Sequence, residues 1–430
     1  MTAIVVSSII FALALGLIFS EKVNRTIVAL GGAVLMVASG MMLGFYTEEE
    51  AMAVIDFNTL FLLLGMMILV GILEPTGFFQ YLAVVVGKLS RGKPARLLIL
   101  LGTVTTLISM FLDNVTTVVL IAPVTILICE ILGMEATPFL IALALLSNTG
   151  GVGTLVGDPP NILIGSAAGL TFNDFLIHSL PIVLVVWGAA LWLLLRMFKK
   201  DFEHVELCDP EVLDQLNPRE ALKDAKTAKR ALVVVVLAVV AFLLEERMHM
   251  NPSFVALSAS ALGLAWVRPD VRKTLNKVEW DILIFFAALF VMVGGLEAAG
   301  VLDVLANLIA RASGLPTVVM GVILLWSVAL LSAVVDNIPI TIAIIPVIQQ
   351  LAASGLDVAP FWWALALGAG FGGNGTIIGS TANVVVTSLS ERTRNPITPA
   401  LWSKRGLPVM LLACVVATVM YVFVFYVFGF

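Results

Sequence analysis

Charged residues are scarce in this chain. Of its 430 residues only 12% are Asp, Glu, Lys or Arg, whereas 60% are hydrophobic. A water-soluble domain carries about 25% charged residues. The shortage of charge therefore excludes a soluble domain, a disordered chain and a nucleic-acid-binding protein with a basic face. The long unbroken apolar runs instead predict an all-α polytopic membrane protein, because a spanning helix needs about 20 apolar residues.

Cysteine is also scarce. The three cysteines, Cys129, Cys208 and Cys414, lie too far apart to suggest a CxxC metal or redox site. No GxxxxGK[ST] motif is found, so coupling to ATP would need a separate subunit such as a cytoplasmic ATPase. We therefore expect no cofactor, no metal site and no enzymatic activity.

Apolar runs and basic residues together predict how the chain crosses the bilayer. The first run, 3–20, has no basic segment before it and no small-residue cleavage site, so it is predicted to remain as a transmembrane helix. Lys and Arg prefer cytoplasmic loops. If Lys22 and Arg25 lie on the cytoplasmic side of the inner membrane, only Arg247 and Arg311 of the 24 basic residues fall outside. Both termini are then extracytoplasmic, and no Lys or Arg lies inside a span.

The two halves of the chain repeat each other. Residues 57–83 match residues 280–306, and FLDNVTTVVLIAP at 111–123 matches VVDNIPITIAIIP at 334–346, both with an offset of 223 residues. After one deletion, GGVGTLVGDPPN at 150–161 matches GGNGTIIGSTAN at 372–383. The distribution of basic residues gives the two repeats opposite orientations, and inverted repeats are typical of secondary transporters.

Each repeat is predicted to contain a re-entrant helical hairpin and a broken transmembrane helix. A glycine-rich break inside an apolar run is tolerated only where it is buried in protein or lines a cavity. Four polar backbone breaks should therefore meet near mid-membrane. The predicted units are the N-terminal repeat 1–198 with hairpin 97–132 and broken helix 137–168, the cytoplasmic linker 199–230 with a short helix at 218–229, and the C-terminal repeat 231–430 with hairpin 316–353 and broken helix 360–390.

Three acids inside the predicted spans, Asp113, Asp158 and Asp336, are the candidates for proton or ion coupling. A membrane-embedded carboxylate is costly and usually belongs to an ion or substrate pathway. For Asp158, which precedes two prolines, we favour helix capping over coupling. For Asp113 and Asp336, which match at the two hairpin tips, we favour coupling. None of the three has a predicted basic partner within the membrane.

Neutral hydrogen-bonding residues surround these acids. Helix N-termini at the breaks offer N–H donors to an anion or a hydroxylated solute, and the side chains nearby would complete a cage. The alternative is that they hold helices together. The candidates for substrate binding are Asn114, Thr116, Thr117, Asn148, Thr149, Thr154, Asn161, Asn337, Thr341, Asn374, Thr376 and Asn383.

The motifs that carry a family resemblance are FLDNVTTVVLIAPV, GDPPN and VVDNIP. The chain resembles the ion-transporter superfamily over nearly its whole length. That superfamily contains arsenite permeases, NhaD-type sodium/proton antiporters, dicarboxylate–sodium symporters and the melanosomal P protein. The motifs are most similar to the ArsB-type and P-protein branch. The resemblance implies a scaffold with a mobile transport domain, elevator-type alternating access and frequent homodimers.

The hairpin tips narrow the expected substrate. In the dicarboxylate symporters of the superfamily that this chain resembles, the hairpin tips carry Ser-Asn-Thr motifs. Here the tips begin with Asp113-Asn114 and Asp336-Asn337. Two ionised acids would repel a dianion. We therefore predict arsenite or antimonite efflux in exchange for protons, through neutral As(OH)3. The alternatives are sodium/proton antiport, sodium-coupled dicarboxylate or anion symport, and a passive channel. An intramembrane aspartyl protease is disfavoured, because its GxGD pattern is missing.

Overall fold

The computed structural model describes residues 1–19, 22–203, 217–302, 304 and 315–427. Within these ranges the regular elements are helices, and no strand occurs. The long helices are α1 (Thr2–Phe19), α2 (Arg25–Leu43), α3 (Phe57–Leu73), α4 (Phe78–Ser90), α5 (Pro94–Ser109), α6 (Asn114–Ile131), α7 (Thr137–Gly151), α8 (Pro159–Ala168), α9 (Leu180–Met197), α10 (Ala225–Met248), α11 (Pro252–Val267), α12 (Trp280–Ala298), α13 (Thr317–Ser332), α14 (Asn337–Ala353), α15 (Ala359–Gly372), α16 (Thr381–Ser390) and α17 (Pro399–Val422).

The predicted fold class, an all-α polytopic membrane protein, is confirmed. By length and composition, seven helical segments of the described chain are suited to cross a membrane, and seven more are apolar but shorter. Many helices begin at a side-chain cap, as at α2, where Asn24 Oδ1 accepts from the backbone N–H groups of Thr26 and Ile27. The caps satisfy N–H groups that have no partner inside the helix.

The helix packing follows the internal repeat. Helix α2 packs on α12, and the matching pair, α11 and α3, packs in the same way. Within the halves, α5 packs on α7 just as α13 packs on α15. Equivalent hydrogen bonds also recur, because Ser109 Oγ donates to Ser147 O and Ser332 Oγ donates to Ala369 O, each over 2.7 Å. The two halves are therefore related in three dimensions as well as in sequence.

The two broken helices are interrupted at matching positions. Helix α7 ends at Gly151 and α8 begins at Pro159, while α15 ends at Gly372 and α16 begins at Thr381. The backbone crosses itself closely in each break. A methyl group on Gly157 would lie 2.6 Å from Gly151 O, which leaves room only for glycine. The matching Gly379 meets Gly373 O at 2.7 Å.

The central linker differs from its predicted form. Helix α10 begins at Ala225, inside the predicted linker 199–230, and the predicted helix 218–229 is divided into one turn at Pro218–Ala221 and the beginning of α10. The reason is a cap, because Asp224 Oδ1 accepts from the N–H groups of Lys226 and Thr227 and starts the long helix there. Residues 204–216 with Cys208, and also Glu21 and Arg311, lie outside the described residues. The boundaries of the two repeats stay predictions.

Candidate functional site

Two asparagines hold the breaks together. Asn161 Nδ2 donates to Gly151 O over 3.0 Å and to Thr154 O over 2.8 Å. In the second repeat, Asn383 Nδ2 donates to the matching Gly373 O over 2.7 Å and to Thr376 O over 2.9 Å. Both side chains are buried. Each amide therefore satisfies two carbonyl groups that the break leaves without helical partners.

Two threonines tie the breaks to the hairpin tips. The Thr154 hydroxyl donates to Met110 O, and the Thr376 hydroxyl donates to the matching Ala333 O. These threonines and the two asparagines were predicted to bind substrate. In the structure their N–H and O–H groups donate to backbone carbonyls, so their first role is to set the shape of the site.

Asn148 joins the two repeats. Its Oδ1 accepts from Asn114 Nδ2 and from Ser380 Oγ, each over 3.0 Å. Its Nδ2 donates over 3.0 Å to Asn374 Oδ1 and to Asn383 Oδ1. This side chain is fully enclosed, with 1% of its surface exposed. Through Asn148, the first hairpin is connected to the break of the second repeat.

The position that matches Asn148 in the second repeat has no side chain. The sequence ALAL at 142–145 matches ALAL at 364–367, which places Gly370 opposite Asn148 and Asn374 opposite Val152. The contacts follow the same exchange, because a methyl group on Gly370 would lie 2.1 Å from Val152 Cγ2. The contact that Asn148 makes with the second repeat is thus polar, whereas the matching contact between Gly370 and Val152 is apolar.

Asp158 does not cap its helix, and the capping interpretation is wrong for its side chain. It occupies the N-cap position of α8 without a side-chain cap bond. The chemical reason is that Pro160, at the second helical position, has no N–H, and the Asn161 N–H already bonds to Asp158 O. The carboxylate instead accepts from Asn337 Nδ2 of the opposite repeat over 3.0 Å and is 3% exposed.

The two tip acids do act as caps. Asp113 Oδ1 accepts from Thr116 N over 2.8 Å at the start of α6. Asp336 Oδ1 makes a longer contact of 3.4 Å with Ile338 N at the start of α14. Capping and coupling are compatible roles. The coupling role of these acids, like that of Asp158, stays a prediction.

Asp336 also has a basic partner, contrary to the expectation that all three acids lack one. Arg25 Nη1 lies 3.0 Å from Asp336 Oδ2, and Thr381 Oγ1 donates to the same oxygen over 3.1 Å. The charge pattern predicted only that Arg25 lies on the cytoplasmic side, outside the spans. In the structure it is the first residue of α2, its side chain is 26% exposed, and its guanidinium lies 5.4 Å from the centre of the Phe285 ring.

The three acids line one cavity of about 160 Å³. Of the neutral candidates, Asn114, Thr116 and Asn337 also line it. The other nine pack outside its wall, namely Thr117, Asn148, Thr149, Thr154, Asn161, Thr341, Asn374, Thr376 and Asn383.

Four charged groups of this cavity were not predicted as part of the site. They are Glu74, Glu279, Arg25 and Lys277, and Lys277 Nζ lies 2.7 Å from Glu74 Oε2. They belong to the ends of spans, where charged side chains usually face solvent. The sequence therefore offered no indication that they face the cavity. Five carboxylates and two basic groups therefore share the cavity wall.

Glu279 stands just before the span Trp280–Ala298. Burial raises the pKa of its carboxyl to about 7, and the neighbouring acids Asp113 and Asp281 add to the rise, while Arg25 opposes it. The cavity therefore contains a group that titrates near neutral pH outside the membrane-spanning segments.

Comparison with known proteins agrees with this architecture. A family model described as CitMHS, citrate transporter, matches residues 15–368. An uncharacterized transporter of Mycobacterium tuberculosis is 42% identical over 99% of this chain and all of its own length. An uncharacterized transporter of Synechocystis is 32% identical over 93% of both chains. The human P protein is 30% identical over 96% of this chain and 59% of its own length.

A solved structure shares the fold. The crystal structure of the YdaH transporter of Alcanivorax borkumensis aligns with a TM-score of 0.61 over 99% of each chain, at 17% identity. That likeness concerns the fold alone. The helices, the repeat and the cavity lined by charged groups define a multi-pass membrane transporter. By its sequence, the chain belongs to the CitMHS citrate transporter family.

Proposed function

We propose that this protein is a secondary active transporter of the cell membrane that exchanges a small neutral solute for protons. The observation that carries the proposal is Asp158, a carboxylate 3% exposed at the edge of the central cavity. Among the described residues, no Lys or Arg forms an ion pair with it. A carboxylate within membrane-spanning segments is costly, and such acids usually belong to an ion, proton or substrate pathway.

Arsenite and antimonite are the first solutes to test. As(OH)3 is uncharged, so five carboxylates in the cavity wall do not repel it, and its three hydroxyl groups match Asn114, Thr116 and Asn337 as hydrogen-bonding partners. Asp158 and Asp113 would exchange the protons. This substrate follows from the tip chemistry and the family resemblance.

We further propose elevator-type movement. Hairpins α5–α6 and α13–α14 and the broken helices would move as one body against a scaffold that includes α2 and α12. In this arrangement the cavity faces the end of the molecule that carries Arg25 and Lys277, the predicted cytoplasmic side. The structure would then be the inward-facing state, with both termini outside. From the resemblance we also propose a homodimer, and proton coupling makes an ATPase subunit unnecessary.

Transport into everted membrane vesicles tests this proposal. Everted vesicles with an acidic interior should accumulate arsenite, and Asp158→Asn should reduce the accumulation to background. An active preparation that does not accumulate arsenite with or without a pH gradient would exclude arsenite as the substrate.

Sodium/proton antiport is the second candidate. It is favoured by the excess of carboxylates over basic groups in the cavity. Sodium-dependent proton release from the same vesicles, with no effect of arsenite, would support it. The family model's description makes citrate the third solute to compare. Arg25 and Lys277 are already paired with Asp336 and Glu74, which leaves a citrate carboxylate no free base in the described cavity wall.

A further inference from the structure

A second cavity of about 370 Å³ lies beside the first. Helix α3 runs along both. Asn58, Thr59 and Leu62, near its beginning, line the second cavity, while the residues from Leu63 to Glu74 that face inward line the central one. The two cavities therefore follow one another along the length of a membrane-spanning helix.

Helix α8 gives the same order from the opposite side. Asp158 and Pro159, at its beginning, line the central cavity, and Gly165, near its end, lines the second. Ile162 lies between them, lines both cavities and is 3% exposed. The side chain of Ile162 is thus part of a thin apolar partition on a route across the molecule.

The second cavity contains a buried acid that the central site does not use. Glu245, near the end of α10, lines this cavity and is 2% exposed. Its Oε1 accepts from Phe172 N over 2.7 Å. Its Oε2 is buried and has no hydrogen-bond partner. An ionised carboxylate oxygen without a donor is strongly disfavoured in that position, and a neutral, protonated carboxyl group costs less to bury.

The charged groups around Glu245 have mostly the same sign. Glu246 lines the cavity and accepts from Thr171 Oγ1 over 2.7 Å, and Asp174 accepts from the same hydroxyl over 2.9 Å. Of the described residues that line the cavity, His249 is the other titratable group. The neighbouring carboxylates favour a proton on Glu245, and a charged imidazolium of His249 opposes it.

We propose that Glu245 is a proton-binding site at the end of the transport route opposite to the mouth of the central cavity. A proton enters or leaves through the second cavity, resides on Glu245 Oε2, and reaches the central acids when the partition at Ile162 opens. This inference rests on the proposed proton coupling. The site is separate from the central one, because Glu245 of α10 lies beside the last residues of α8, whereas Asp158 precedes the first.

Infrared spectroscopy of the purified full-length protein tests the site without requiring transport. Glu245→Gln keeps an oxygen that accepts from Phe172 N but cannot titrate. We expect the wild-type protein to show a protonated carboxyl band that is lost as pH rises, and we expect Glu245→Gln to lack that component. Glu246→Gln is the matched control and should keep the band at low pH, with its loss shifted to lower pH because one neighbouring carboxylate is gone. An identical band in wild type and Glu245→Gln would overturn the proposal and leave Glu245 as a structural tie to the backbone of Phe172.

A transport measurement separates this proposal from the one it rests on. In sealed vesicles, Glu245→Gln should shift the pH dependence of solute flux when pH is varied on the face of the second cavity, with little change when it is varied on the other face. If wild-type flux does not depend on any pH gradient, proton coupling fails while the infrared result still stands. If flux is proton-coupled and the variant has a wild-type pH profile on both faces, the assignment of Glu245 fails alone.

Discussion

The two halves of the central site have the same frame and different chemistry. The frame consists of matched bonds, with Asn161 and Asn383 each donating to two carbonyl groups of their own break. The chemistry differs where Asp158 stands opposite Ser380 and where Asn148 stands opposite Gly370. The first repeat therefore holds a buried carboxylate and an amide network at positions where the second holds a hydroxyl and a hydrogen atom.

The tip acids differ in a similar way. Asp336 is neutralised by Arg25 at 3.0 Å, whereas Asp113 forms no ion pair within the described residues. The guanidinium already balances the charge of Asp336, so a transported cation would gain less from this acid. The comparison teaches that the repeat preserves the backbone geometry while the side-chain chemistry differs, and for this reason we place the proposed coupling in the first half.

The largest expected effect comes from substituting Asp158, whose matching residue in the second repeat is Ser380. Asp158→Asn should abolish transport, because Asn337 keeps a partner but the titrating group is gone. Ser380→Ala should retain most activity, since only its bond to Asn148 Oδ1 is lost. Initial rates in vesicles with equal amounts of folded protein check this. Equal loss in both variants would show that the two halves share the coupling role.

The frame predicts a loss of stability in both halves, and a larger loss in the second. Asn161→Ala and Asn383→Ala each remove two hydrogen bonds to backbone carbonyls of their own break, which should cost about 2 kcal/mol of stability. Asn383→Ala should cost somewhat more, because it also removes the acceptor of Asn148 Nδ2. Thermal unfolding in detergent measures this. Asn173→Ala, which removes an exposed amide with one longer bond, is the control and should change little. An unchanged melting temperature in either buried variant would contradict a shared frame.

The Arg25 pair predicts a non-additive effect. Arg25→Gln leaves a half-buried carboxylate unpaired and should lower the melting temperature, whereas Arg25→Gln with Asp336→Asn should recover part of the loss. Lys277→Gln is the comparison, because its pair with Glu74 is about one-third exposed and should contribute less. Additive effects of the first two substitutions would mean that their contact does not stabilise the tip.

The smallest effect concerns pH. The pKa of Glu279 rises to about 7 in the folded protein, so the folded state binds this proton more tightly than the unfolded state. Its contribution to stability is therefore complete below the ordinary value of 4.5 and is lost as pH rises through about 7. Glu279→Gln should flatten the melting temperature between these values. Glu49→Gln, at an exposed position, should leave the slope unchanged.

Much of the frame was predictable from the sequence. The offset of 223 residues aligns the hairpins and their tip acids Asp113 and Asp336, and after one deletion the offset of 222 aligns the breaks. Asp158 is predictable as an acid inside an apolar run. Hydrophobicity and glycine spacing are local signals, and they carry this information well.

The remaining site residues depend on tertiary contacts. Arg25 and Glu279 lie at span ends, where sequence patterns indicate solvent, and only packing of the two repeats turns them into the cavity. The capping interpretation of Asp158 was wrong because the missing N–H of Pro160 outweighed the usual preference of Asp for an N-cap. Nine neutral candidates proved to pack outside the cavity, since hydrogen-bonding side chains also serve to close the breaks.

Proton movement in proteoliposomes tests the central claim most directly. A pH-sensitive dye inside the vesicles would report proton flux after addition of whichever of arsenite, Na⁺ or citrate the wild-type protein transports. The account predicts that Ser380→Ala gives a proton signal close to wild type and that Asp158→Asn gives none. A full proton signal from Asp158→Asn would contradict it.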